Sequence, residues 1–293
     1  VEGVVAFAPA KVNLCLHVVG RRADGYHLLD SLVAFADIGD RLTARPAPSW
    51  SLTLSGREAA ALAGVDDNLA LRAGRLLAQH VGSVAAAELH LEKHLPVAAG
   101  IGGGSADAAA TLRALRELWR LAIDDAELAA IGARLGADIP VCVRSETAWV
   151  SGIGERVEPG PPLPELGVVL VNPRRPLPTA TVFAARQGGF AAPAPRLAEP
   201  PRDAVAFARW LAALRNDLTA AAIGLAPEIG DVLAALGNLA GALLVRMSGS
   251  GATCFALFEN RAAAMRARDA LAAAEPRWWC AAGGLIAGGG VSR

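Results

Sequence analysis

No apolar run in the 293-residue chain reaches the length of about 18 at which a helix can cross a bilayer, so no spanning helix is expected. The four cysteines (Cys15, Cys142, Cys254, Cys280) lie far apart and form no C-x-x-C pair. That spacing argues against a disulfide framework or a zinc site and fits a reducing cytoplasm. There is no excess of either charge: 28 basic residues balance 28 acidic ones. A nucleic-acid or membrane-surface binder would draw its affinity from a basic surplus, whereas a small anionic ligand needs only local donors. Tyr26 is the single tyrosine, and lysine is rare beside arginine. With alanine so abundant, that rarity reads as the base composition of a GC-rich genome and carries no functional weight. The opening residues lack the basic-then-apolar layout of a secretory signal, and the numbering starts at Val1 without a Met. A cytoplasmic protein is therefore expected, as a monomer or weak homodimer.

What is present is a folded chain, 53% hydrophobic and 19% charged, of about two domains by length. The Pro- and Gly-rich segment from Pro159 to Pro201 is the natural boundary, giving domains over 1–160 and 161–293. Strands followed by helices in each half point to an α+β layering. The opening run reads as two short strands broken at Pro9, the second half-buried, with Lys11 and Asn13 on one side of it. Leu28 to Ala36 and Arg41 to Arg45 read as further separate strands. Asp67 and Asn68 precede a helix over Leu69 to His80.

The centre of the chain is PVAAGIGGGSADAAAT, Pro96 to Thr111. A strand-like run, Ala87 to Leu95, leads in, and a helix-like run, Asp107 to Leu121, leads out, with Arg113 turned away from its apolar stripe. Glycines at a strand-to-helix junction let the backbone approach a ligand, and the first free amides and the helix dipole then favour an anion. The Walker pattern fails because no Lys follows the glycines. The dinucleotide pattern nearly fits from Gly100, but Ser105 stands where the third Gly belongs, and no acidic residue ends a following strand. A ligand-free Gly-rich turn is the plain alternative.

Further stretches stand out. Asp24-Gly25 is a strong turn signal, and Tyr26 and His27 follow it directly, an aromatic and an imidazole suited to a planar ring. Asp138 sits in GADIPVCV, between a helix end and a strand-like run; alone, such an Asp is usually a turn or capping residue. MSGSGATCFALF (Met247 to Phe258) reads as strand, Gly/Ser turn, strand.

Together PAKVNLCLHVVGRRADGYH, PVAAGIGGGSADAAATL and MSGSGATCFALF resemble the three motifs of the GHMP kinase superfamily. The resemblance runs from Phe7 to about Ile286. It implies a two-domain fold, an N-terminal ribosomal-protein-S5-like α/β domain and a C-terminal α+β sandwich, with the active site in the cleft between them. It also implies an ATP- and Mg²⁺-dependent small-molecule kinase. Lys11, Asn13 and the run Arg22 to His27 are similar to those members that phosphorylate cytidine diphosphate methylerythritol in the non-mevalonate isoprenoid route. On that resemblance Asp138 matches the catalytic Asp, as base or as orienting group, and Lys11 its partner. Ala98, Ala99, Gly100, Ile101, Gly102, Gly103, Gly104, Ser105, Ala106, Asp107 and Ala108 match the ATP phosphate loop. Tyr26, His27 and Phe183 match positions that hold cytosine, Asn13 a contact to the methylerythritol end, and Gly249, Ser250 and Gly251 the motif closing the phosphate end. No side chain is assigned to metal, and no nucleic-acid or membrane partner is implied.

Two departures stand out. Asp107 replaces a common Asn, which puts a carboxylate near the phosphate-facing helix start. Ala98 and Ala99 replace frequent glycines, a change suited to negative φ. Three rivals remain: a homoserine- or mevalonate-kinase-like GHMP enzyme, a catalytically silent GHMP-type binding protein and, more distantly, a dinucleotide oxidoreductase.

Overall fold

The computed structural model describes residues 3–62, 64 and 67–287. Its spine is one antiparallel hairpin, β1 (Val4–Arg21) and β2 (His27–Ala47). Each arm is continuous where two strands were expected. Pro9 lacks an amide, but the register slips between Pro9 and Ala10, so the bulge absorbs the missing donor. Opposite it, a Cβ on Gly39 would stand 2.3 Å from the Ala8 carbonyl oxygen, so glycine permits the close approach. Nor is β1 half-buried: Asn13, Cys15 and His17 are as enclosed as Val12, Leu14 and Leu16.

The reason is that β1 is covered on both faces. Residues Arg41 to Ala47 of β2 pair with β4 (Ala86–Glu92), and β3 (Ser51–Ser55) runs parallel to β4. Residues Leu29 to Val33 of β2 pair with β5 (Ala148–Gly152), which β6 (Arg156–Pro159) extends, for an order β3-β4-β2-β5-β6 with β1 on β2. Helices α1 (Leu69–His80), α2 (Gly103–Leu118), α3 (Asp125–Ala133) and α4 (Ile139–Arg144) supply the apolar side chains that pack on one face, Leu112 and Leu115 sharing a core cluster with Phe35, Leu42 and Leu89. Asn68 caps α1 as expected, its side-chain oxygen accepting from the Ala70 amide at 2.8 Å.

A second sheet, β7 (Gly167–Asn172), β8 (Leu244–Met247), β9 (Cys254–Phe258) and β10 (Trp279–Gly284), is antiparallel in the order β10-β7-β9-β8. The period-two alternation divides it. Val168, Leu170, Phe255 and Leu257 join Ala10, Val12 and Leu14 of β1 in one core cluster. Val169, Val171, Ala256 and Phe258 pack with residues of α7 (Thr219–Leu225), α8 (Glu228–Gly237) and α9 (Arg261–Ala274). Helices α5 (Thr179–Ala185) and α6 (Ala204–Ala212) complete this half. Arg246 ties it to β1, its guanidinium donating to the carbonyls of Leu14, Leu211 and Leu214 at 2.6–2.9 Å.

Two readings of local structure change. Ile139 to Arg144 is a helix, not a strand: a short apolar run has no decisive period, and Pro140 falls in the first turn, where no amide is required. Helix α2 begins four residues earlier than the composition suggests, its first turn being Gly103, Gly104 and Ser105. Arg113, expected to face away, instead reaches inward and donates to the carbonyls of Cys142, Val143 and Phe7. It thereby caps the C-terminal end of α4 and fastens it to β1.

Candidate active site

The glycine loop between β4 and α2 lies over the middle of β1. The Lys11 amide donates to the Ile101 carbonyl at 3.0 Å, so β1 and the loop are joined at the lysine itself. The Lys11 stem runs along Gly102, where a Cβ would meet two of its carbons at 3.2 Å; Gly102 also has φ +64°, a position that glycine alone takes without strain. From the other side the Met247–Phe258 turn locks in. The Thr253 amide donates to the Ala99 carbonyl, the Ser248 hydroxyl to the Gly100 carbonyl, and the Asn13 amide to the Ser248 oxygen, all at 3.1 Å.

Asp138 arrives as the N-cap of α4. Its carboxylate oxygen Oδ1 lies 2.8 Å from Lys11 Nζ. Lys11 is buried, whereas the Asp138 side chain is 44% exposed and faces the open cleft. The amides of Gly103, Gly104 and Ser105 precede the first intrahelical bond, from the Ala106 amide to the Gly102 carbonyl at 2.8 Å. They and the α2 dipole form an anion cradle beside the ion pair. The cleft holds about 560 Å³, and its wall includes Lys11, Asn13, Ser31, Asp138, Phe183 and Ser250.

Most of the expected residues converge there. Ala98, Ala99, Gly100, Gly102, Gly103, Gly104 and Ser105 line it, as do Gly249 and Ser250. Ile101, Ala106, Asp107 and Ala108 do not: all four are buried, the last three because α2, starting at Gly103, has already turned them inward. Asp107 therefore presents no carboxylate to the cleft; it pairs with Lys93 at 2.7 Å in the interior. Gly251 packs under Gly100, whose own Cβ position lies 2.5 Å from the Gly251 oxygen. Ala98 does not have the negative φ that its side chain prefers; it sits at +52°.

At the other end, the Arg22–Tyr26 turn closes with the Arg22 amide on the Tyr26 carbonyl at 2.7 Å. Tyr26 stands outside the cleft wall, 62% exposed. His27 reaches the cleft only through Phe183, on which it stacks with ring centres 5.1 Å apart and an angle of 23°. Desolvation lowers the His27 pKa, and the charges of Arg21 and Arg186 lower it further, so the neutral imidazole is favoured. Asn13 donates from Nδ2 to the Ser31 hydroxyl at 2.8 Å, and that hydroxyl donates to the Cys15 carbonyl at 2.6 Å. Asn13 Oδ1 is buried without a hydrogen-bond partner among the described residues, an acceptor left for a bound hydroxyl.

Sequence reasoning missed several residues. Ser31 shares the cleft wall, and its signal was a polar pair, Asp30-Ser31, inside an apolar strand. Thr179 also lines the cleft and shares a 2.9 Å hydrogen bond with Ser250. Lys93 and Asp40 lie beneath the loop. Lys93 could have been found by counting, because it and Lys11 are the two lysines of the chain.

Comparison with known proteins agrees with this geometry. The models for the GHMP kinases N terminal domain and the GHMP kinases C terminal match residues 68–146 and 195–277. The chain is 52% identical over 285 residues to 4-diphosphocytidyl-2-C-methyl-D-erythritol kinase of Rhodospirillum rubrum, covering 97% of this chain and 93% of the relative. It is also similar to a crystal structure of 4-(cytidine 5'-diphospho)-2C-methyl-D-erythritol kinase, with TM-score 0.78 and 37% identity over 97% of this chain and 100% of the other. A homoserine kinase from Cytophaga hutchinsonii shares the fold at 17% identity and TM-score 0.68, over 98% and 95% of the two chains. Among the described residues no helix is long and apolar enough to cross a membrane. The chain belongs to the GHMP kinases, in the family of the 4-diphosphocytidyl-2-C-methyl-D-erythritol kinases.

Proposed function

We propose that the chain transfers the γ-phosphoryl group of ATP to the 2-hydroxyl of 4-diphosphocytidyl-2-C-methyl-D-erythritol, in the non-mevalonate route to isoprenoids. The observation that carries this reading is the Lys11–Asp138 pair, 2.8 Å apart beside the glycine cradle. The substrate hydroxyl oxygen bonds to the γ-phosphorus as the bond to the β,γ-bridging oxygen breaks, ADP leaves, and the hydroxyl proton passes to Asp138 or, with Asp138 only orienting it, to solvent. Such transfers are accelerated by positioning and charge neutralisation more than by covalent help. The amides of Gly103, Gly104 and Ser105 hold phosphate oxygens, and the Lys11 ammonium steadies the charge spread over the transferring group. Asn13 Oδ1 accepts from a hydroxyl of the methylerythritol end, and the aromatic cluster of Tyr26, His27 and Phe183 takes the cytosine.

Among the described residues that line the cleft, the metal-capable side chains offer hard oxygen (Ser31, Ser105, Asp138, Thr179, Ser250) and no thiolate or imidazole, which suits Mg²⁺ and not a softer ion. Bound with the nucleotide, Mg²⁺ would supply neutralisation of the phosphate charge, and no side chain is assigned to hold it. The division into units 1–160 and 161–293, cytoplasmic residence and a monomeric or weakly dimeric state belong to the same proposal.

The deciding measurement is transfer of label from γ-labelled ATP to the cytidine diphosphate compound, run beside mevalonate and homoserine. Transfer to the cytidine compound alone is expected. Preference for either other alcohol overturns the substrate, and transfer to none of the three overturns the kinase reading.

A further inference from the structure

Beneath the glycine loop, on the side away from the cleft, lies a second lysine cluster. Lys93 follows β4 immediately, and its ammonium donates to Asp40 Oδ2 at 2.5 Å and to Asp107 Oδ2 at 2.7 Å. The three residues are 2%, 0% and 3% exposed. Asp40 uses its other oxygen on the amides of His94 and Leu95, at 2.5 and 2.9 Å. One carboxylate thus grips the chain where it enters the loop, and through the ammonium it grips α2 one turn past where the loop ends.

Stability alone does not explain the cluster. Desolvating three charges is costly, and a well-packed apolar set of similar volume is often as stable or more so. Here the carboxylates outnumber the cation, and Asp107 Oδ1 has no partner among the described residues. The residue choice is also telling. Only two of the chain's 28 basic residues are lysines, and both meet carboxylates at this loop, one above it and one below. Lys93 Nζ is 3.7 Å from the position of a Cβ on Gly103. A compact ammonium fits between two carboxylates under that glycine, where a planar guanidinium needs more room.

We propose that Lys93, clasped by Asp40 and Asp107, is a positioning residue that fixes the two ends of the glycine loop relative to each other and so sets the affinity for the ATP triphosphate. The proposal rests on the reading of the loop as the ATP cradle. It acts on the first-turn amides, at Gly103 to Ser105, without touching the nucleotide.

The test is steady-state kinetics on Lys93→Arg, Asp107→Ala and Asp107→Asn, with Mg-ATP binding by calorimetry and folding checked by circular dichroism. In Lys93→Arg and in Asp107→Ala the KM for ATP should rise by about tenfold or more, since a displacement of order 1 Å in a positioning element can cost up to about 10²-fold. The KM for the cytidine substrate should stay within about twofold, because its contacts lie elsewhere. Asp107→Asn keeps an acceptor for Lys93 and should recover most of the ATP affinity lost in Asp107→Ala. If Lys93→Arg fails to fold, the two Asp107 variants decide. Unchanged ATP KM in folded Asp107→Ala, or equal rises in both KM values, overturns the brace. Failure of the wild-type protein to bind Mg-ATP overturns the nucleotide reading itself.

Discussion

Lys11 and Lys93 carry the same group and sit on opposite faces of one loop, yet their settings differ. Among the described residues Lys11 has a single acid partner, Asp138, whose side chain is 44% open to the cleft. Lys93 has two, both sealed from water. A charge facing a solvated partner can be removed at small cost, because the partner regains water; a charge that holds two buried carboxylates cannot. The upper lysine is therefore free to act on a ligand, while the lower one is committed to holding the backbone. Arg113 belongs with the lower one, since it fastens α4 to β1 from the interior and so fixes the elements that bear Asp138 and Lys11.

The largest effect should come from the open side. Asp138→Ala is expected to lower kcat by about 10²–10⁴-fold, the usual contribution of a general base, while Mg-ATP still binds. Single-turnover phosphate transfer and calorimetry read the two quantities separately, and near-normal kcat removes Asp138 from the mechanism. Asp138→Asn sharpens the point: a rate well above that of the alanine variant assigns Asp138 to orienting the hydroxyl, and an equal loss assigns it to taking the proton. On the closed side, Lys93→Met should cost roughly 3–5 kcal/mol of stability by leaving buried carboxylates unpaired, whereas Lys11→Met should abolish transfer yet cost less than about 1 kcal/mol. Equal destabilisation in urea titrations would erase the contrast.

The closed cluster also predicts a pH signature. Burial pushes the Asp107 carboxyl up to about 7, with Lys93 pulling it down and Asp40 pushing it up. The native state therefore keeps a proton that the unfolded chain releases near its ordinary value of 3.8. Stability from this group is full below that value and is lost as pH rises through about 7. Lys93, whose pKa is raised by Asp107 and Asp40 against the effect of desolvation, stays charged throughout. Thermal melts should show this contribution to the wild-type Tm falling between about pH 4 and pH 7, levelling off above, and a flatter profile in Asp107→Asn. Parallel profiles would take the proton away from Asp107. At the far end of the cleft, Phe183→Ala and Tyr26→Ala should each raise the KM for the cytidine substrate more than that for ATP, since base stacking is worth about 1–3 kcal/mol. Phe183, which lines the cleft, should matter more than Tyr26, which stands outside it. The reverse order would mean that the Arg22–Tyr26 turn folds inward over the base.

How much was legible follows from what each signal depends on. Local chemistry read well. The Asn68 cap and the Gly/Ser turn before β9 follow from neighbours in the chain. Motif residues from three stretches meet at the upper cleft, and Asp138 joins them from a fourth. Burial set by distant partners was not. The alternation in β1 points to one wet face, but Asn13 on that side is buried against Ser31, and His17 against the backbone of Ala192 and Arg215. A charged Arg113 read as surface, because its acceptors come from residues about 30 and more than 100 positions away. Composition places Asp107 before the phosphates, but the helix start at Gly103 turns it inward. Lysine scarcity reads as composition, but a chain that spells nearly every cation as arginine leaves its two lysines as markers.

The smallest effect tests the loop between the two lysines. Ala98 holds φ at +52°, where a Cβ crowds the backbone at a cost of roughly 1–2 kcal/mol. Glycine would remove that crowding but would enlarge the freedom lost on folding by about 0.4–1 kcal/mol. The difference favours Ala98→Gly by something under about 1 kcal/mol, or a Tm higher by about 2 °C. The loop is already tied to β1 at Lys11, to the Thr253 turn above and to Asp40 below. The relief should therefore appear in stability and leave the KM for ATP within about twofold. A lower Tm would mean that the alanine methyl makes compensating contacts. A raised ATP KM with an unchanged Tm would mean that the stiffness of this one residue, and not the clasp below, holds the cradle in shape.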